Sequence, residues 1–303
     1  MWKSGGGEDE PSSTPDLLAR VHPTWKALVD SCGPFTDGVE DSGSSFLRGT
    51  CLQDPPIVVT HSCATTMTAA RFLALSGSLG PWGSVVAAEQ VQGRGQLRRF
   101  WVSTPGNLHA SMVLPEPPVD GPWREALPDL RPLVMGYVIS EVLMELGANL
   151  KLKWPNDLLQ DGRKIGGLLI EEVKGAVILG LGLNLVASPP DEQMREDCSA
   201  PAGVLQMPSR ALTAAALWQV LVTRGKSVYE YLLDDQTPSR FLSRVANRLA
   251  WIGQTVLVRE GGSGEYTAVV KGLSSNGGLV MSRGERESIL YSGSIYPLRT
   301  PCF

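Results

Sequence analysis

The sequence predicts an α+β protein that ends in a small β-barrel, and three observations carry the prediction. Residues 150–185 read as an antiparallel meander that folds back at Asp161-Gly162 and again at Lys174-Gly175. An Asp-Gly pair between apolar runs is a strong signal for a two-residue hairpin. Helical patterns stand apart from these strands, over residues 131–146, 210–233 and 238–249. Beyond Trp251-Ile252-Gly253 the chain breaks into short strand-like stretches at 255–258, 266–271, 278–282 and 287–291, with turn residues between them. Short strands at regular spacing with Gly-rich turns suggest a barrel.

A chain of 303 residues can bury a sizeable core and hold more than one domain. Residues 1–50 are rich in Gly, Ser, Pro and Asp and offer one helical prospect, at 17–29. They read as a largely irregular N-terminal extension, poorly suited to a three-helix DNA-binding domain. Residues 51–250 read as the main domain and 251–303 as the small barrel. Order begins at the β-branched strand Ile57-Val58-Val59-Thr60. A helix follows, with Thr65 or Thr66 as N-cap and Gly77 as C-cap. The exposed N-terminus of that helix, with its hydroxyls, is equally a place to bind a polar ligand head. His61 has no second histidine or carboxylate nearby in sequence and reads as structural. Val85-Val86-Ala87-Ala88 and residues 107–114 read as buried strands, 115–128 as a Pro-rich loop, and 187–208 as a Pro/Asp/Ser loop. Gly166, Gly167, Gly180 and Gly182 lie inside strands, where glycine often marks close approach by a ligand or another backbone.

Composition excludes several classes. Hydrophobic residues make up 43% and charged residues 19%, and the net charge is -4. That is an ordinary globular balance with no global basic field for nucleic acid or an anionic membrane. No apolar run reaches membrane-spanning length, and the start has no signal-peptide core. Cys32, Cys51, Cys63, Cys198 and Cys302 are scattered, with no metal-ligand spacing. They read as reduced thiols of a cytoplasmic protein.

The most informative stretch is Gly93-Arg94-Gly95-Gln96-Leu97-Arg98-Arg99-Phe100-Trp101, which bridges two core strands. Gly93 and Gly95 can take φ > 0 and let the backbone approach a ligand. Arg94, Arg98 and Arg99 repel one another in an empty loop, and a phosphate would relieve that repulsion through charge-assisted hydrogen bonds. A solvated basic hairpin tip is the other reading of the same residues.

Four motifs occur in order: Glu89-Gln90-Val91-Gln92-Gly93-Arg94-Gly95, Trp101-Val102-Ser103-Thr104-Pro105-Gly106-Asn107-Leu108, Lys153-Trp154-Pro155-Asn156-Asp157, and Lys164-Ile165-Gly166-Gly167-Leu168-Leu169-Ile170-Glu171. Together they resemble the biotin–protein ligases (biotin–[acetyl-CoA-carboxylase] ligases), in a form without the DNA-binding domain. The resemblance covers roughly residues 55–300. It implies a mixed β-sheet flanked by helices, like the class II aminoacyl-tRNA synthetase core, and a C-terminal Src-homology-3-like barrel. It also implies an enzyme that uses biotin and ATP, with Mg²⁺, to form biotinyl-5′-adenylate, and then passes biotin to one lysine of a biotin carboxyl carrier protein or domain. Such chemistry depends on positioning and positive charge more than on an enzyme nucleophile.

By the resemblance, Lys153, Arg94 and Arg99 carry catalysis. Thr65, Thr66, Met67, Gln90, Gly93, Arg94, Gly95, Gln96, Lys153, Gly166 and Gly167 hold biotin. Arg94, Arg98, Arg99, Trp101, Asn156, Lys164 and Asn184 hold ATP or the adenylate, and Asp157 holds Mg²⁺ through water. Capping for Thr65 and Thr66, core packing for Trp101, an ion pair for Lys153, a turn cap for Asp157 and a structural role for Asn184 stand beside these roles. Two departures mark this chain. The family commonly has Ser-Thr-Asn where Thr65-Thr66-Met67 stands, and an arginine and a glycine where Gln96 and Arg98 stand. The expected protein is a monomer or homodimer that binds neither DNA nor membrane. The alternatives are a lipoate–protein ligase, a DNA-binding repressor and a non-catalytic biotin-binding module.

Overall fold

The computed structural model describes residues 2–3, 14–39, 45–49, 54–96, 100–190, 200–208, 212–260 and 264–298. They form two compact units. One comprises Met1–Glu116, Gly166–Ser188 and Val204–Lys226; the other comprises Pro117–Ile165, Pro189–Gly203 and Ser227–Phe303.

The first unit begins with β1 (Trp2–Lys3), α1 (Pro15–Val21), α2 (Pro23–Cys32), β2 (Thr36–Val39) and β3 (Ser45–Arg48). The strands make a small antiparallel sheet in the order β1-β3-β2. This is more order than the single helical prospect expected here. The expected helix is two, because Pro23 opens α2 at its first position and His22 caps it in extended conformation.

The core of this unit is a mixed sheet. β4 (Ile57–Cys63) runs parallel to β5 (Ser84–Gln90), with α3 (Thr66–Leu75) as the crossover. β5 is antiparallel to β6 (Leu108–Val113), and β6 to β10 (Ala176–Leu183). β10 in turn is antiparallel to β9 (Arg163–Val173), whose first three residues belong to the second unit. β6 is buried along its whole length and β5 up to Ala88, so their apolar runs need no alternation. On one face, Ala69, Ala70 and Leu73 of α3 pack on Val85, Val113 and Ile178. The helix α5 (Ala214–Asp235) enters this unit through Trp218, which is fully buried and donates its Nε1–H to Ser84 Oγ at 3.0 Å.

The second unit holds α4 (Trp123–Glu145), the hairpin of β7 (Lys151–Lys153) and β8 (Asp157–Gln160), and α6 (Pro238–Ala246). It also holds β11 (Thr255–Arg259), β12 (Glu265–Leu273), β13 (Leu279–Arg283), β14 (Arg286–Leu290) and β15 (Ser294–Pro297). The last five form a separate antiparallel sheet in the order β14-β13-β12-β11-β15. Four of these strands match the expected short stretches; β15 is additional. α4 starts inside the expected Pro-rich loop and carries Pro128 and Pro132 within it. Trp123 anchors its first turn, donating to Gln236 O at 2.7 Å and lying 5.6 Å from the Phe241 ring. The two expected hairpin turns are present: Asp161 and Gly162, and Lys174 and Gly175, all have positive φ, as a tight turn of that hand requires.

Candidate active site

The first unit presents a glycine-floored strip of sheet. Register places Gly180 opposite Ser111 and Gly182 opposite His109 and Gly167, while Gly166 pairs with Leu183. Alternation along β6 and β10 puts His109, Ser111, Gly180 and Gly182 on one face. Two side chains lie on the floor. A Cβ at Gly180 would meet Met67 Sδ at 2.6 Å, and one at Gly182 would meet the Trp101 indole at 2.5 Å. These glycines exist to let side chains lie flat on the sheet; none of Gly166, Gly180 or Gly182 needs a left-handed φ.

At one end of the strip is a polar chain that runs from buried Thr66 and Ser111 to half-buried Gln90 and Ser103. Thr66 donates its backbone N–H to Gln90 Oε1 at 2.8 Å, and its hydroxyl lies 3.2 Å from the same oxygen and 2.8 Å from Ser111 Oγ. Gln90 Nε2 donates to Ser103 Oγ at 3.2 Å. Thr65 is the N-cap of α3: its Oγ1 accepts from Thr68 N at 3.0 Å and donates to Thr68 Oγ1 at 3.0 Å. Both threonines are therefore engaged within the protein, Thr65 as a cap and Thr66 as the hub of the chain. Beside them is a cavity of about 260 Å³ lined by Thr65, Met67, Arg71, Arg94, Leu169 and Glu171 among others.

The segment after β5 closes on itself. Trp101 N donates to Gly93 O at 2.9 Å, and Arg94 bridges to Phe100. Gly93 does not use the positive φ expected of it. It is required because a Cβ there would meet the Trp101 carbonyl at 2.5 Å. Arg94 is exposed, and Gly95 and Gln96 are half-buried. Arg98 and Arg99 lie outside the described residues. Trp101 Nε1 and His109 Nδ1 are buried without a partner. Burial lowers the His109 pKa to about 4 against a weaker opposing pull from the Thr104 carbonyl, so the imidazole is neutral at pH 7.

Asn184 follows β10, is buried, and accepts from Leu205 N at 2.8 Å through its carbonyl. Next to it, Asn107 holds the outgoing chain. Its Oδ1 accepts from Leu185, Val186 and Ala187 N at 2.9, 2.9 and 3.3 Å, and its Nδ2 donates to Ala187 O at 2.7 Å.

The second unit holds the charged cluster. Lys153 ends β7, Asn156 lies in the turn, and Asp157 opens β8. Lys153 Nζ donates to Asp157 Oδ2 at 2.9 Å, and Lys164 Nζ reaches Asp157 Oδ1 at 2.6 Å. Burial alone would raise the Asp157 pKa, but Lys164 and Lys153 overcome it and hold the carboxyl at about 2. Two ammonium groups thus share one carboxylate, which leaves a net positive charge to receive an anion. Both oxygens face lysines, and no group of three His, Cys, Asp or Glu suited to a metal occurs among the described residues. These ion pairs are direct, whereas the magnesium contact expected of Asp157 runs through water.

Ser111, His109 and Arg71 lie outside the four sequence motifs. The two-residue alternation along 107–113 is the signal that would have brought in Ser111 and His109.

Residues 61–185 match the model of the biotin/lipoate A/B protein ligase family. Among curated proteins, the chain is 25% identical over 237 residues to a biotin–[acetyl-CoA-carboxylase] ligase of Paracoccus denitrificans, covering 77% of this chain and 97% of that one. It is 27% identical over 234 residues to the bifunctional ligase/repressor BirA of Bacillus subtilis, covering 73% and 68%. Its fold is that of the biotin protein ligase from Aquifex aeolicus solved with biotin and ATP, with a TM-score of 0.64 at 24% identity over 79% of this chain and 97% of that one. The enzyme from Leishmania major solved with biotinyl-5-AMP gives 0.56 at 21% identity over 81% and 99%. Fold, motifs and relatives define a ligase built on a mixed sheet. The chain is similar to biotin–protein ligases, and its residues 61–185 match the model of the biotin/lipoate A/B protein ligase family.

Proposed function

We propose that the chain is an ATP-dependent biotin–protein ligase acting in two steps. A carboxylate oxygen of biotin attacks the α-phosphorus of ATP, the bond to the leaving pyrophosphate breaks, and biotinyl-5′-adenylate forms. The Nζ of one lysine on a carrier domain then attacks the acyl carbon; AMP departs with the electrons of the C–O bond, and the nitrogen loses a proton as the amide forms. The Lys153–Asp157–Lys164 cluster is the observation that carries this reading, because the first step brings two anions together and needs fixed positive charge. Lys153 is read as the lysine of the reacting centre. Thr65, Thr66, Met67, Gln90, Gly93, Gly95, Gln96, Gly166 and Gly167 are read as the biotin site. Arg94, Arg98, Arg99, Trp101, Asn156, Lys164 and Asn184 are read as the ATP site.

ATP enters as its magnesium salt, with the metal travelling on the substrate. The names of relatives that act on acetyl-CoA carboxylase support a carboxylase carrier as acceptor. The five-stranded C-terminal sheet is read as the family's Src-homology-3-like barrel. The ligase is read as cytoplasmic and as a monomer or homodimer without a DNA-binding role; no helix among the described residues is long and apolar enough to cross a membrane.

The test is incubation with biotin, Mg-ATP and a carrier domain, read by intact mass, alongside pyrophosphate–ATP exchange with biotin or lipoate. One added biotinyl group per carrier and exchange driven by biotin are expected. Exchange driven by lipoate alone would replace this reading with lipoate ligation. Lys153→Ala should abolish exchange while remaining folded; exchange at the wild-type rate would remove Lys153 from the centre.

A further inference from the structure

Lys153 has a second neighbour besides Asp157. Its Nζ lies 5.4 Å from the centroid of the Tyr296 ring, within the range of a cation–π contact. Tyr296 is on β15, pairs with Leu257 of β11, and is only 4% exposed. The same ring has the Arg259 guanidinium 5.8 Å from its centroid, and Arg259 is itself paired with Glu265. The β7–β8 turn is held to this sheet at another point as well: Trp154 Nε1 donates to Gly277 O at 2.9 Å. So the C-terminal sheet touches the turn on consecutive residues, Lys153 through an aromatic face and Trp154 through a carbonyl.

The two restraints on Lys153 differ in kind. A lysine is a flexible stem with three N–H donors. Asp157 takes one of them and fixes a distance. A second carboxylate would fix the stem further, but it would neutralise the charge and take another donor. An aromatic face attracts the ammonium through its quadrupole, carries no net charge, and leaves N–H groups for an incoming anion. A buried ring is also rigid, having few torsions to lose.

We propose that Tyr296 is a positioning residue for the reaction: the C-terminal sheet holds the Lys153 ammonium in place by the face of this ring, leaving its charge for the reacting carboxylate and phosphate. The proposal rests on the reading of Lys153 as the lysine of the reacting centre. It makes the ring, and not the hydroxyl, the working part. It also makes β15 part of the chemistry rather than an appendage.

The test compares Tyr296→Phe, Tyr296→Leu, Ile295→Ala and Lys153→Ala in the full chain. Adenylate formation is followed by pyrophosphate exchange, biotin affinity by calorimetry, and Lys153 acylation by an amine-directed reagent by peptide mass. Tyr296→Phe should keep the wild-type rate. Tyr296→Leu should lower the rate of adenylate formation by about tenfold, leave biotin affinity within about twofold, and raise Lys153 acylation several-fold. Ile295 is 1% exposed on the same strand, so Ile295→Ala should lower Tm without these changes. A wild-type rate and unchanged acylation in Tyr296→Leu would overturn the proposal, as would equal losses in Tyr296→Phe or in Ile295→Ala. Full activity in Lys153→Ala would instead overturn the reading beneath it.

Discussion

Asp157 is buried with both oxygens on lysines, and its titration is a property of that triad. Its folded pKa, about 2, lies below the ordinary 3.8, so the unfolded chain binds the proton more readily. The stabilisation it contributes is therefore complete above about pH 4 and is lost as pH falls through about 2. It amounts to about 2 kcal/mol. Acid unfolding of the wild type should steepen across that window, and Asp157→Asn should lose the steepening. That variant also leaves two lysines beside a neutral amide, and should cost on the order of 3 kcal/mol at pH 7 in denaturant titrations. Thr65→Ala should cost about 1 kcal/mol through the lost cap of α3, whatever its effect on biotin. Equal stability of Thr65→Ala and wild type would show that the cap contributes nothing.

The elements of the site were legible in the sequence to different depths. The β9–β10 hairpin and its glycines could be read directly, because Lys174-Gly175 favours a tight turn and glycine within an apolar strand signals a close approach. What the glycines receive could not be read: Met67 and Trp101 reach Gly180 and Gly182 only once α3 and the hairpin stem are folded over the sheet. α4 begins ahead of the expected residue 131 because Pro128 argues for a loop locally, while the burial of Trp123, Leu127 and Leu130 outweighs it. The packing of the strip predicts that Gly182→Ala displaces the Trp101 indole. The cost should be about 1–3 kcal/mol, as for other overpacked sites. Tryptophan fluorescence and thermal melting of the free protein would register it; unchanged spectra and Tm would mean the indole does not rest on Gly182.

For the molecule as a whole, the order of motifs along the chain carried the resemblance, while the contacts that join them were invisible. Trp154 and Gly277 are 123 residues apart, and no local pattern links a turn in the middle of the chain to one near its end. The same holds for Asp157, whose Lys-x-x-x-Asp spacing suggests an ion pair with Lys153 but says nothing of Lys164. Long-range closure also sets a rule about chain length. One carboxamide, Asn107, takes up three successive N–H groups and one carbonyl of residues 185–187. It works as a gauge that counts residues after β10. Asparagine alone fits, since aspartate lacks the donor and glutamine is a methylene too long. A residue inserted after Asn184 would put every N–H out of step with the gauge, whereas one inserted after Ser188 lies past it. The first insertion should lower Tm markedly and the second should leave it within a few degrees. Drift in the length of this loop among relatives is thus expected to begin only beyond the last residue that Asn107 can measure.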